Sequence, residues 1–182
     1  DYLLDNIMSL TSELKDKYKI NFATKLVLRL IFVRYLIDRG INLAYGNFND
    51  NIEVSRQELL NVTRDKIKLY ELFKYLKEKF NGNLFELDNE IENTSLSHEV
   101  FILLSNFLSG KISLGNNQLS LFSMYDFNII PVELISNIYE ILLGKEIRNK
   151  DNAFYTPNYL AEYVLDNITL NLLHKNKRYK VL

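Results

Sequence analysis

Residues that break helices are scarce in this chain of 182 residues, which has only two prolines and six glycines. Between them, apolar side chains recur at spacings of three and four, the period of one face of an α-helix. Leu3, Ile7, Leu10 and Leu14 form such a face near the start of the chain. The sequence therefore predicts a mainly α fold, built as an irregular multi-helix bundle.

Capping residues and glycines indicate where these helices begin and end. Asn21 and Ser55 are predicted N-caps, Gly40 and Gly110 are predicted stops, and Pro131 suits a first helical turn. The predicted helical ranges are 2–17, 21–38, 55–62, 66–80, from 95 or 97 to 108, 131–144, and one that begins at 156.

Residues 111–128 leave two alternatives open. Their aromatic side chains either pack a loop onto the helices, or the segment pairs as a short hairpin across the turn 115–117, Gly-Asn-Asn. Residues 178–182, Arg-Tyr-Lys-Val-Leu, have the pattern of a strand. We expect this strand to be truncated.

The most apolar stretch, Phe22 to Ile37, contains Lys25, Arg29 and Arg34. Three cations are too costly in a membrane span of about 20 residues, so the stretch is predicted to be a buried helix. Within it, Arg34 and Asp38 have the spacing of an ion pair. The absence of cysteine excludes disulfides and thiolate metal sites and fits a cytoplasmic protein.

Charge neither favours nor opposes binding to nucleic acid, because 22 lysines and arginines stand against 23 acidic residues. The formal net charge is −1, so any contact with DNA must come from a local basic patch.

A more specific motif lies at residues 152–157, Asn-Ala-Phe-Tyr-Thr-Pro, followed by a helix, a basic turn and the short strand. This order resembles adenine-N6 DNA methyltransferases, in which an aromatic-Thr-Pro element opens a helix upstream of the first core strand. Residues 127–140, with the Ile-Pro-Val-Glu sequence, resemble the helix that precedes this element in restriction-modification enzymes. Residues 32–40 are similar to their upstream helical regions.

The resemblance implies a division of the chain into two parts. Residues 1–144 would form a helical spacer that contacts DNA, and residues 145–182 would form a linker, the Thr-Pro helix and the first strand of a methyltransferase core. We expect the cofactor loop and the catalytic Asn/Asp-Pro-Pro-aromatic motif to lie beyond Leu182, because neither is present in this chain.

The cofactor implied by the resemblance is S-adenosylmethionine, held by the complete protein. A helix N-terminus offers free backbone donors to its carboxylate, which places Thr156 beside the cofactor. The resemblance implies that Thr156 lies nearest the methionine end. Tyr155 and Pro157 would shape the same edge of the pocket. Without the resemblance, these residues would be an ordinary N-cap followed by proline. The chain alone is expected to bind the cofactor weakly or not at all.

The implied partners are double-stranded DNA and the methyltransferase core of the same protein. Arg29 and Arg39 either face a phosphate backbone or make contacts within the fold. Lys175, Lys177 and Arg178 present a similar choice, since such clusters are more often solvated turns.

No residue of this chain is predicted to be catalytic or to bind a metal. Glu133 and Glu140 share a helical face, but no histidine or third carboxylate joins them at helical spacing, so a solvated face is the better interpretation. His98 and His174 stand alone. The alternative to the methyltransferase hypothesis is a non-enzymatic helical module that binds a protein partner or separates two domains.

Overall fold

A computed structural model describes residues 2–80, 83–87, 92, 96–111, 113–114, 118–119, 125–131, 135 and 137–142. Within these ranges the protein is mainly helical, as the sequence predicts. Five helices are bounded, namely α1 (Tyr2–Asp16), α2 (Ala23–Asp38), α3 (Ile52–Thr63), α4 (Lys66–Phe80) and α5 (His98–Leu108). A 3-10 turn, Asn83–Phe85, follows α4, and residues 137–142 are again helical.

The centre of the fold is α2. Fifteen of its sixteen residues are buried, with half-buried Lys25 as the exception. Helices α1 and α3 and the 3-10 turn all pack against it. A helix that is apolar all round needs neighbours on every side. Because α2 is apolar on all sides, it lies inside the protein. No helix in the described ranges is long and apolar enough to cross a membrane.

Helix α1 buries the predicted apolar face, Leu3, Ile7, Leu10 and Leu14, each at most 1% exposed. The chain then turns through Lys19, whose φ of 57° lies in the left-handed region. The predicted cap of α2 is wrong. Phe22, not Asn21, precedes the first helical residue, and its side chain makes no capping hydrogen bond. The amide of Ala23 instead donates to the carbonyl of Ile20 at 3.2 Å.

The predicted stop of α2 at Gly40 is confirmed. Gly40 has a φ of 71°, its amide donates to the carbonyl of Ile37 at 2.9 Å, and the amide of Ile41 donates to that of Leu36 at 3.0 Å. These bonds satisfy carbonyls at the helix end that would otherwise lack partners.

Helix α3 starts earlier than predicted, and its N-cap is Asn51 rather than Ser55. The side chain of Asn51 accepts a hydrogen bond from the amide of Val54 at 3.1 Å. Ser55 is buried one turn inside the helix, where its hydroxyl donates to the carbonyl of Asn49 at 2.8 Å. Serine is suited both to an N-cap and to bonding the backbone from within a helix. The fold of the loop before α3 decides which of these roles Ser55 takes.

Aromatic packing joins α4 and the 3-10 turn to α2. The ring of Phe85 lies 5.7 Å from Phe32, 5.8 Å from Phe73 and 6.3 Å from Phe80, measured between ring centroids. All four side chains are buried. This cluster fixes the start of the segment that follows α4.

Helix α5 runs from His98 to Leu108. As predicted, it is stopped by Gly110, whose φ is 71°. Ser97 precedes it without making a side-chain capping bond. Of the two alternatives for 111–128, the structure has a short antiparallel pairing of β1 (Ser113–Leu114) with β2 (Gln118–Leu119). The turn 115–117 lies outside the described residues.

Residues 125–131 return to the helical body. Phe127 is fully buried, and Ile130, Ile135, Ile138 and Leu142 are buried as well. Ile141, on the same segment, is 40% exposed. The division at residue 144, the Thr-Pro helix and the C-terminal strand all lie outside the part of the chain that the structure describes.

Candidate functional site

Two groups of buried charges lie along α2, and their centres are about two and a half helical turns apart. The first centres on Arg29, whose side chain is fully excluded from solvent. Its Nη1 donates to Oε2 of Glu92 at 2.8 Å, and its Nη2 donates to Oε1 at 3.1 Å. This bidentate geometry is the strong form of a charge-assisted pair.

Backbone carbonyls complete the surroundings of Arg29. Its Nε donates to the carbonyl of Leu84 at 2.8 Å, and Nη2 also donates to that of Glu86 at 2.7 Å. The Tyr70 hydroxyl donates to Oε2 of Glu92 at 2.8 Å. Burial and the adjacent carboxylate raise the pKa of Tyr70, so that it stays a neutral donor. Arg29 thus ties α2 to the segment that follows α4.

Lys25 lies one turn before Arg29 on α2 and is half-buried. Burial lowers the pKa of Lys25, and repulsion from the Arg29 guanidinium lowers it further, while Glu92 and Glu86 act in the opposite direction. Desolvation and repulsion from Arg29 therefore both disfavour the charged form of Lys25.

The second group centres on Asp38, the last residue of α2, whose side chain is also fully buried. Arg34 Nε lies 2.8 Å from its Oδ1, and Arg56 Nε of α3 lies 2.7 Å from the same oxygen. Burial lowers the pKa of Arg34 and Asp38 opposes that change, whereas the hydrogen bond to Asp38 raises the pKa of Arg56. The ion pair that the spacing of Arg34 and Asp38 predicts is therefore present, and it is internal.

Asp38 also binds a distant part of the backbone. Its Oδ2 accepts a hydrogen bond from the amide of Phe127 at 3.2 Å, and the Phe127 ring lies 6.0 Å from the Arg34 guanidinium. The next residue of the chain, Arg39, donates from Nη2 to the carbonyl of Ile130 at 2.6 Å. The C-terminal end of α2 thus holds residues 127–130 at two points, which we call the Asp38 anchor.

Chemically, these groups are suited to holding segments together. Both carboxylates accept hydrogen bonds from side chains of the protein itself. Among the residues described, no group of three or more His, Asp or Glu side chains could hold a metal ion. The arrangement holds backbone segments that lie 55 to 91 residues along the chain from the arginines that bind them.

Of the two alternatives for Arg29, the structure has contacts within the fold. Its side chain is 0% exposed and paired with Glu92, so it could reach a phosphate only by leaving the core. Arg39 is half-buried and contacts Ile130 and the ring of Tyr35, while part of it remains accessible.

The other predicted site residues lie outside the described ranges. These are Tyr155, Thr156 and Pro157 of the cofactor element, and Lys175, Lys177 and Arg178 of the basic turn.

Sequence reasoning missed Glu92, Arg56 and the amide of Phe127 as partners of α2. One signal was present, because charges within an apolar helix of this length require buried partners. It could not name those partners, which lie 18 to 89 residues away along the chain.

No protein-family model matches the chain, and neither a curated protein nor a solved structure shows significant similarity to it.

Proposed function

We propose that this chain is the helical part of an adenine-N6 DNA methyltransferase of a restriction-modification or phage-defence system. In this proposal, residues 1–144 support an S-adenosylmethionine-dependent core, and residues 145–182 lead into it. The observation that carries the proposal is the order of the Ile-Pro-Val-Glu sequence, the Phe-Tyr-Thr-Pro element and the terminal strand pattern.

The Asp38 anchor adds support of a physical kind. It holds residues 127–130, which directly precede the helix leading toward the Phe-Tyr-Thr-Pro element. A spacer needs a rigid connection at that point, because a cofactor site performs only when its supporting elements are held in place. An internal helix with buried ion pairs supplies such rigidity.

Exposed apolar residues near the end of the described chain are consistent with a methyltransferase core of the same protein that packs against them. Ile129 is 78% exposed and Ile141 is 40% exposed, and both belong to the segment that follows the anchor. In the proposed protein, the methyltransferase core covers them. The alternative function, a helical interaction module, has a separate partner cover the same residues.

Double-stranded DNA is the substrate of the proposed protein, which acts in the cytoplasm. With Arg29 buried, Arg39 and the basic turn at Lys175, Lys177 and Arg178 are the remaining proposed phosphate contacts. Such contacts contribute non-specific affinity that falls steeply with added salt.

The test is adenine-N6 methylation of DNA by the complete protein that carries this chain. A Thr156→Asp variant places a negative charge beside the proposed position of the cofactor carboxylate, and Thr156→Ser keeps the capping hydroxyl as a matched control. We expect Thr156→Asp to lose affinity for S-adenosylmethionine while remaining folded, and Thr156→Ser to retain it.

The outcomes separate three interpretations. Methylation that Thr156→Asp does not affect would keep the family and reduce Thr156 to a helix cap. A wild-type protein that does not methylate DNA, from a gene without a cofactor loop after Leu182, would overturn the proposal in favour of the interaction module.

A further inference from the structure

Helix α4 carries an excess of positive charge on the outside of the protein. Five lysines against two glutamates give this helix a formal charge of +3, whereas the whole chain has −1. Helix α2 is also positive in total, but its two arginines are buried and paired with Glu92 and Asp38. Four of the five lysines of α4 are exposed. Among the described helices, α4 therefore offers most of the accessible positive charge.

Two of these lysines lie on one side of α4 together with Tyr70. Lys66, Tyr70 and Lys77 are separated by four and seven positions, which places them on a common side of the helix. Lys74 precedes Lys77 by three positions and is its neighbour on the helix surface. The Tyr70 hydroxyl donates to Oε2 of Glu92, which also binds α2. This side of α4 therefore lies next to the first part of α2.

The first turn of α2 extends the basic side of α4. Lys25 is half-buried and forms no ion pair within the described part of the chain. Burial lowers the pKa of Lys25, and repulsion from Arg29 and Lys77 lowers it further. Lys77 and Lys25 are thus close enough to repel each other. We call Lys25, Lys66, Lys74 and Lys77 the α4 basic surface.

Two carboxylates border the α4 basic surface without neutralising it. Glu78 follows Lys77 on α4, and Glu86 lies close enough to Lys25 to favour its charged form. In the described part of the chain, neither Lys74 nor Lys77 forms an ion pair with a carboxylate. Four cations against two anions leave a net positive charge on this surface.

The stability of the two helices does not account for where Lys25 and Lys66 stand. Both lie in the first turn of a helix, where the helix dipole disfavours a cation, and neither first turn contains an acidic residue. Asp65 caps α4 from outside the helix, accepting from the amides of Ile67 and Lys68, and offsets part of this cost. Departures from the rules of local stability are expected at functional surfaces.

We propose that the α4 basic surface binds the phosphate backbone of double-stranded DNA. The charges of α4 and α2 carry the inference of an anionic partner, and the choice of DNA rests on the proposed function. A lipid surface is a poor partner, because the apolar side of α4 is buried inside the protein. Lysines that contact phosphates do not read bases, so this surface supplies affinity and orientation without sequence recognition.

The dimensions of the surface suit several phosphates. Lys66 and Lys77 are eleven positions apart, which corresponds to about 16 Å along the helix axis. Duplex DNA carries one phosphate charge for about every 1.7 Å of its axis. If all four lysines contact phosphates, the logarithm of the binding constant should fall with the logarithm of the salt concentration with a slope of about 3 to 4.

The test measures binding of the 182-residue chain to a fluorescein-labelled DNA duplex by anisotropy, over a series of salt concentrations. Lys74→Gln with Lys77→Gln removes two exposed cations of the surface, and this double variant should fold because both side chains lie outside the core. We expect it to lower the salt slope by about 2.

The same helix provides the matched control. Lys68 and Lys79 are exposed and lie on the opposite side of α4, eleven positions apart like Lys66 and Lys77. Lys68→Gln with Lys79→Gln removes the same charge and should leave the salt slope unchanged. Equal reductions in both double variants would overturn the proposal, and so would a wild-type chain that does not bind the duplex. Tighter binding of poly-glutamate than of the duplex would identify an acidic protein as the partner and overturn it as well.

Methylation by the complete protein separates this proposal from the proposed function. With both correct, Lys74→Gln with Lys77→Gln raises the KM for DNA and leaves the KM for S-adenosylmethionine unchanged, while the control variant changes neither. Methylation with an unchanged KM for DNA in both variants would overturn the surface and keep the proposed function. A protein that binds DNA through this surface without methylating it would refute the proposed function and leave the surface standing.

Discussion

Arg29 and Glu92, 63 residues apart in the chain, form a bidentate ion pair in which the two side chains are 0% and 2% exposed. Desolvating two such charges is expensive, and their attraction offsets that cost only while both are present. The pair is therefore a strong constraint on which segments can meet, and a weaker contribution to net stability.

Removing one partner of this pair should be far more harmful than removing both. We expect Arg29→Met to lower the free energy of unfolding by about 3–5 kcal/mol, because Glu92 is left as an uncompensated buried charge. The double variant Arg29→Met, Glu92→Met should recover most of that loss. Urea unfolding of the single and double variants measures both values, and a single variant that costs less than about 1 kcal/mol would contradict the buried pairing.

The cap of α3 provides a test of local structure. Asn51→Ala removes the side chain that accepts from the amide of Val54, and it should cost about 1 kcal/mol of stability. Ser97→Ala, at the start of α5, is the matched control, because Ser97 makes no side-chain capping bond. Thermal unfolding of both variants should show a clear loss for Asn51→Ala only. Equal losses would mean that the caps are assigned incorrectly.

Gly40 isolates the effect of backbone conformation. A Cβ added there would meet no atom within 4 Å, so the φ of 71° is the sole obstacle to a side chain. We expect Gly40→Ala to destabilise the protein by about 1 kcal/mol, and Gly40→Asn to cost less because asparagine tolerates the left-handed region. Chemical denaturation would rank the two variants. An alanine variant as stable as wild type would argue against a left-handed Gly40.

Alkaline pH should weaken the fold partly through Tyr70. The pKa of Tyr70 is raised in the folded protein above its ordinary value of 10.0, so the folded state retains a proton that the unfolded state releases. This contribution is fully present below the unfolded pKa and is lost as pH rises above it. Between about pH 9 and about pH 11, wild type should therefore lose more stability than Tyr70→Phe.

The measurement for Tyr70 is denaturant unfolding at a series of pH values. Other tyrosines and lysines titrate in the same range in both proteins, so the difference between the two curves isolates Tyr70. Parallel curves would indicate that the hydroxyl is not held against Glu92 in the folded protein.

Much of the local structure follows from the sequence. The apolar periodicity of α1 and α4, the stops at Gly40 and Gly110 and the pairing of Arg34 with Asp38 depend on residues within a few positions of one another. The caps were harder to assign, since Asn51 and Ser55 are both good cap residues and the turn before α3 selects Asn51.

The sequence by itself determined that α2 must be internal, because its apolar residues leave no polar face and its cations need buried partners. Only the tertiary structure decided which partners those are. Glu92 reaches Arg29 and Phe127 reaches Asp38 from 63 and 89 residues away, distances over which residue spacing carries no geometric information. Helical period acts over one or two turns, whereas the pairing of buried charges depends on how the helices pack in three dimensions.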